Sequence, residues 1–370
     1  MKNIKIFISL LIACIFFIGC NEKNEDELKI GFLAGLSGKY SALGIDIRDG
    51  FLLAFDEIDY TINEKKIRII QKDDKQDKKE AQKVIEYFIK NDIKIIVGNA
   101  TSSMTKISFD EVNKQKEMLL FSATASSNEF SSKDDNFLRT QVESSAKRYK
   151  TLLNYVDSKG YEKIFVIYDS KNLSYANGYL QVFQEMLVQS GGNKFVEAMD
   201  LNNNYETIID ALKTTKNDLI LIVGNSIDSA NIIQYIRHSK ITTDILGSGW
   251  AKTTDFITNG GKSVEGVVFS TGYDDNSKDK NFLEFVNKFE KKYKVKPSVF
   301  AAQGYELGKI LIENLLISTE TKTLKSRILQ TSKYSGLQGD IIFDKYGDVD
   351  RDYFMMEVKN QSFEKINVQN

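Results

Sequence analysis

The stretch "IVGNATSSMT", residues 96 to 105, closes an apolar run, Ile93 to Val97, at Gly98 and passes at once into small polar residues. An apolar run bounded by glycine reads as a buried strand, and Ser102 with Ser103 as the start of the helix that follows. In an open parallel sheet, that junction beyond the carboxyl end of a strand is where ligands bind. Free backbone N–H groups at a helix start, with serine hydroxyls beside them, suit a carboxylate or another anion without any arginine. The arrangement recurs one unit later, where Met118 to Phe121 runs into "SATASSNEF" with Thr124, Ser126 and Ser127. Helix capping accounts for one such segment alone. Two at neighbouring strand ends point to a small polar ligand.

Outward from this stretch the chain alternates short apolar runs with amphipathic segments of helical length. Leu28 to Leu33, Ile67 to Gln71, Ile93 to Val97 and Met118 to Phe121 read as strands. Leu43 to Asp59, Ala81 to Lys90 and Thr105 to Lys116 read as the helices between them. That order predicts an α/β fold with a parallel sheet covered on both faces. Near residue 144 the pattern restarts, with strands at Ile164 to Tyr168, 194 to 199, Leu219 to Val223, Asp244 to Gly247 and Val264 to Ser270. Helices at 144 to 157, 175 to 190, 205 to 214 and 228 to 239 separate them, so a second doubly wound unit is expected. Helices follow at 278 to 292, 298 to 317 and 322 to 331. Gly339 to Phe343 and Tyr353 to Lys359, joined through "DKYGDVD", read as a closing hairpin. Pro297 is the one proline, and no low-complexity linker marks a cut, so two lobes would be joined by several crossings.

The 370 residues, 42% hydrophobic and 27% charged, are enough for two domains with real cores. Lys and Arg number 50 against 51 Asp and Glu, without a basic stripe, which argues against a nucleic-acid partner. His238, the one histidine, lies in a helix between Arg237 and Ser239 and reads as a surface residue. No metal site, Ser/His triad or "GxSxG" elbow surrounds it. "GFLAGLSGKY" approaches a phosphate loop, yet its glycines fall at 31, 35 and 38 and Lys39 precedes Tyr40. Asp73, Asp74 and Asp77 in "QKDDKQDKKEAQK" read as a solvated strand end and helix start rather than a cation site. No cofactor, no metal and no enzymatic activity are expected.

The first twenty residues differ from the rest. Lys2 and Lys5 precede an apolar run from Ile6 to Ile18, too short for the about 20 residues of a membrane span but suited to a secretory signal. It ends in Phe17, Ile18, Gly19 and Cys20, which resembles the bacterial lipoprotein cleavage box, where the cysteine becomes the lipidated first residue. Cys14 and Cys20 are the only two cysteines, so the folded part has neither a disulfide nor thiolate chemistry. The polar stretch after Cys20 suits a tether.

The strand ends of the second unit carry "YDSKNLSYANGY", "VGNSIDS" and "GSGWAKTTD", where Tyr175, Asn225, Asp228 and Trp250 can meet a ligand across a cleft. Trp250 also suits a packing role, and Asp228 a helix cap. "IGFLAGLSGKYSALGIDIRDGFLLAFDEID", "VGNATSSMT", "FSATASSNEF", "GSGWAKTTDFITNGGKSVEGVVFSTGYD", "PSVFAAQGYELGK" and "GLQGDIIFDKYGDVDRDYF", in that order over residues 28 to 360, resemble the type I periplasmic binding proteins. Within them the leucine/isoleucine/valine-binding subfamily, the receptors of branched-chain amino acid ABC transporters, is the most similar group.

The resemblance implies two α/β lobes joined by three hinge crossings, with a ligand enclosed between them. It divides the chain into a signal at 1–20, a tether at 21–27, lobe one at 28–143 plus 273–335, and lobe two at 144–272 plus 336–370. It implies that Ser102, within the Ser102 and Ser103 pair, and Ser126 hold a ligand carboxylate, with the Thr124 carbonyl placed for an ammonium group. Tyr175, Trp250 and Tyr273 would close over the ligand. The family's acidic ammonium partner falls in "GSGWAK", where neither Gly249 nor Trp250 is charged, so Asp228 or Asp274 would have to replace it. Leu43 stands where the family has an aromatic residue. The implied function is a lipid-anchored, extracytoplasmic receptor in the cell envelope that takes an amino acid or related carboxylate to an ABC permease. A sensing module signalling to a membrane receptor is the alternative.

Overall fold

The computed structural model describes residues 27–191 and 195–367. The signal, Cys20 and the tether up to residue 26 lie outside the described residues. Among the described residues no helix is long and apolar enough to cross a membrane.

The chain opens with β1 (Glu27–Ala34), α1 (Ser41–Asp56), β2 (Thr61–Ile62), β3 (Lys65–Asp73), α2 (Lys78–Lys90), β4 (Ile95–Gly98), α3 (Ser102–Val112), β5 (Leu119–Ser122) and β6 (Phe137–Arg139). The six strands form one sheet in the order β2-β3-β1-β4-β5-β6, parallel throughout except for the short β2. The side-chain period of two divides β4 between two cores: Ile95 and Val97 face one side with Phe51 and Phe55 of α1, and Ile96 faces the other with Ile85 and Phe88 of α2. Both faces being apolar, helices must cover both.

The second unit runs α4 (Ala146–Ser158), β7 (Ile164–Tyr168), α5 (Leu173–Gln189), β8 (Phe195–Asp200), α6 (Tyr205–Thr214), β9 (Leu219–Val223), α7 (Ser226–His238), β10 (Asp244–Gly247), α8 (Thr254–Gly260) and β11 (Val268–Thr271). Then come α9 (Lys280–Tyr293), α10 (Val299–Ile317), α11 (Leu324–Thr331), β12 (Lys333–Ser335), β13 (Asp340–Phe343), β14 (Val349–Asp350), β15 (Phe354–Lys359) and β16 (Ser362–Ile366). The second sheet has the order β16-β15-β11-β10-β9-β7-β8, with β15 antiparallel to both neighbours. The chain thus passes between the sheets three times, after β6, after β11 and between β14 and β15. The α/β class with two doubly wound lobes and three crossings is as expected.

Helix α10 returns to the first lobe and packs on α1 so closely that only glycine fits at two positions. A Cβ on Gly50 would lie 1.8 Å from the Ala301 carbonyl oxygen, and one on Gly304 2.2 Å from that of Ile47.

Two expectations are corrected. The closing hairpin does not form: β13 pairs with β12 and β14 in a separate three-stranded sheet, while β15 pairs with β11 and β16. Residues 340–350, expected with the second lobe, pack on the first. The Arg139 N–H donates to the Gly347 carbonyl at 3.2 Å, the Phe343 and Phe121 rings meet at 6.1 Å, and Asp348 pairs with buried Arg139. Arg139, an uncompensated buried cation without Asp348 and Glu143, draws the turn to it.

Candidate functional site

The hydroxyl row lies where β4 and β5 end, and most of it ties the two loops together. The Ser102 hydroxyl oxygen accepts the N–H groups of Ser126 at 3.1 Å and Ser127 at 3.2 Å. A hydroxyl with both lone pairs used still has its O–H to donate. Thr124 Oγ1 donates to the Ala100 carbonyl at 2.6 Å, and Ser122 Oγ to that of Asn99 at 3.0 Å. Beneath them Asn99 Nδ2 donates to Asp74 Oδ2 at 2.8 Å. Asp74 is fully buried, not solvated as expected, and that burial pushes its pKa up to about 6 against the pull of bonds from Asn99 and the Gln76 N–H. Asp77 caps α2 by accepting the Lys79 and Glu80 N–H groups. Among the described residues no group of three or more His, Cys, Asp or Glu side chains is placed to hold a metal ion. His238 is exposed, at the end of α7.

Ser102, Thr124 and Ser126 line one partly open cavity between the carboxyl ends of the two sheets. Tyr175 and Trp250 line it from the second lobe, and Leu43 from the first. Trp250 meets Tyr175 edge to face at 5.9 Å and stacks on Tyr40 of the first lobe at 6.2 Å. It packs across the lobes and borders the cavity at once.

Four candidates lie elsewhere. Ser103 bridges the lobes outside the cavity: its N–H donates to Asn172 Oδ1 at 3.0 Å and its hydroxyl accepts the Ser174 N–H at 3.1 Å. Asp228 pairs with Lys39 of the first lobe at 2.6 Å and accepts from Asn225 Nδ2 at 2.8 Å, so it fastens the lobes rather than facing a ligand. Tyr273 is buried at a crossing, where its hydroxyl donates to Glu306 and accepts from Arg351 at 2.7 Å. Asp274 is engaged by Lys365 at 3.2 Å and does not line the cavity.

Sequence reasoning missed the cavity's other polar walls: Gln141 and Tyr353 beside the crossings, Ser270 at the end of β11, Gln303 on α10, and Arg148. Arg148 stands in the first turn of α4, whose cap Ser145 accepts the Arg148 N–H at 3.4 Å. Its side chain turns inward, 5% exposed for the residue, with Nη1 donating to the Val142 carbonyl at 2.9 Å. The guanidinium lies 5.3 Å from the centre of the Tyr353 ring and 5.4 Å from that of Tyr149. Its Nε, Ser270 Oγ and Gln303 Oε1 have no protein hydrogen-bond partner. Burial raises the Tyr175 pKa, and the nearby Arg148 charge opposes part of that rise. A single arginine at a helix start carries no signal in one sequence; only tertiary structure turns it inward.

The geometry matches known proteins along nearly the whole chain. Leu/Ile/Val-binding protein of Escherichia coli (strain K12) is 21% identical over 349 residues, 92% of this chain and 93% of that protein. The branched-chain amino acid transporter substrate binding protein LivJ of Streptococcus pneumoniae, solved with isoleucine, superimposes with a TM-score of 0.83 at 22% identity, covering 92% of this chain and 99% of that one. A solute binding protein of an ABC transporter from R. palustris, solved with benzoate, gives 0.82 at 16% identity over 92% of this chain and 96% of that one. The family model described as periplasmic binding protein matches residues 27–362, and the chain belongs to that family.

Proposed function

We propose that this protein is a lipid-anchored receptor of the cell envelope that encloses a small carboxylated solute between its lobes and hands it to an ABC permease. Like its family, it is a binding protein and not an enzyme. The observation that carries the reading is the cavity itself, in which Ser102, Thr124 and Ser126 of one lobe face Tyr175 and Trp250 of the other. Relatives of this fold solved with isoleucine and with benzoate support a compact carboxylate as the solute class. Cys20 carries the anchor, and delivery follows from the family's transporters.

Isothermal titration of the purified protein against L-leucine, L-isoleucine, L-phenylalanine, benzoate and short-chain carboxylates tests the reading. Saturable binding of at least one is expected. A ligand at 100 times its dissociation constant adds about 2.7 kcal/mol of stability, visible as a raised melting temperature. Absence of both heat and thermal shift across the panel would sink the proposal. For the anchor, Cys20→Ser is expected to move the protein from the membrane fraction to the soluble fraction; retention in the membrane would overturn it.

A further inference from the structure

We propose that Arg148 is the counter-ion of the ligand carboxylate, and that the cavity selects a carboxylate bearing no ammonium group; this rests on the binding role argued above. The charge inventory of the wall carries the inference. Among the described residues that line the cavity, none is Asp or Glu, and Arg148 is the one charged side chain. Arg148 is buried, stays protonated, and has no carboxylate within ion-pair distance among the described residues. A buried guanidinium without a counter-charge is costly, and its remaining donors are satisfied best by a carboxylate that takes two of them side by side. Val142 occupies Nη1, and Nε is free of protein partners.

An ammonium group would fare worse at the same site. It would share a low-dielectric space with Arg148, and the wall offers it only neutral acceptors such as Gln303 Oε1. The acids on the cleft walls outside the cavity are already engaged. Asp228 pairs with Lys39, Asp169 accepts from Asn225 and Asn202, and Glu129 accepts from Ser174. The apolar wall, Trp250, Phe300, Val299 and Leu43, then receives the body of the acid.

Matched pairs read this directly in the unaltered protein. Titrations would compare 4-methylpentanoate with L-leucine, 3-phenylpropanoate with L-phenylalanine, and benzoate with benzamide. In any pair that binds, the amine-free carboxylate is expected to bind at least about 100-fold more tightly than its partner. Arg148→Gln should remove that margin for the carboxylate while leaving benzamide within about fivefold, and Arg148→Lys should restore part of it. Amino acids binding as tightly as their deaminated counterparts would overturn the charge assignment and leave the receptor role standing. So would a folded Arg148→Gln protein that keeps full carboxylate affinity. Failure of every compound to bind would overturn both readings. If Arg148→Gln does not fold, the matched pairs alone still decide.

Discussion

Ser102 joins two jobs in one oxygen. Its acceptor positions hold the loop after β5, and the residue lines the cavity with an O–H left to donate. Ser102→Ala leaves the Ser126 and Ser127 N–H groups without their partner, at about 1–3 kcal/mol, and removes a ligand donor. A lower melting temperature together with an affinity loss of about tenfold is expected by thermal melts and titration. Wild-type values for both would mean that the hydroxyl only caps. Below it, Asp74 makes stability depend on pH. Its folded pKa, raised from 3.8 to about 6 by burial, means that the native state holds the proton more tightly than the unfolded chain. The stability it confers is complete below pH 3.8 and is lost as pH rises through about 6. Asp74→Asn should therefore flatten the fall in urea midpoint between pH 4 and 7, a difference of up to about 3 kcal/mol. A wild-type slope preserved in the variant would refute it. That Ser102, Ser126 and Trp250 would stand at the cavity was legible because strand ends and a single large aromatic mark themselves in sequence. Asp228 and Tyr273 were misread because their partners, Lys39 and Glu306, are 189 and 33 residues away. Arg148 was invisible because a helix start does not reveal which way its side chains turn.

Among the elements, the pair α1 and α10 shows how far packing outruns periodicity. The apolar period announces both helices, yet it says nothing of how near their axes come. Gly50 and Gly304 let backbone meet backbone, and a methyl group at residue 304 has no room because its neighbour is the Ile47 carbonyl rather than a pliable side chain. Gly304→Ala is expected to cost about 3 kcal/mol and lower the melting temperature of the first lobe, while a surface control such as Lys216→Ala should do far less. Equal melting of the two variants would show that the helices part without cost. The long strands were read correctly because their apolar runs are unbroken. β6 and β14 were not, being three and two residues long and too short to carry a period. The hairpin failed for a related reason: "DKYGDVD" is a genuine turn, but β15 completes the second sheet beside β11, where more apolar surface is covered.

At the level of the whole molecule, the restart near residue 144 and the lack of a linker already implied two lobes and several crossings. What no single sequence could reveal is how the lobes touch. Lys39 pairs with Asp228, Tyr40 Oη donates to Asp169 at 3.2 Å, Trp250 stacks on Tyr40, and Gln76 Nε2 donates to the Lys171 carbonyl at 3.2 Å. These contacts join one lobe to the other. The Lys39 side chain is 43% exposed, so the pair contributes less than about 1 kcal/mol by itself. Reversing its sign does more, because Lys39→Glu sets two carboxylates against each other in the closed form only. In the receptor proposed above, whose lobes open and close around the solute, the balance then shifts toward open, and apparent affinity falls by the fraction of molecules still competent to close. The expected result is an affinity loss of about fivefold and a larger radius of gyration by small-angle scattering, reversed by adding Asp228→Lys in the same protein. Since neither residue lines the cavity, a change in affinity rescued by the second substitution measures closure and not contact. If Lys39→Glu left both affinity and radius unchanged, the Tyr40–Trp250 stack and the hydrogen bonds from Tyr40, Gln76 and Ser103 would hold the lobes, and the charge pair would be a passenger.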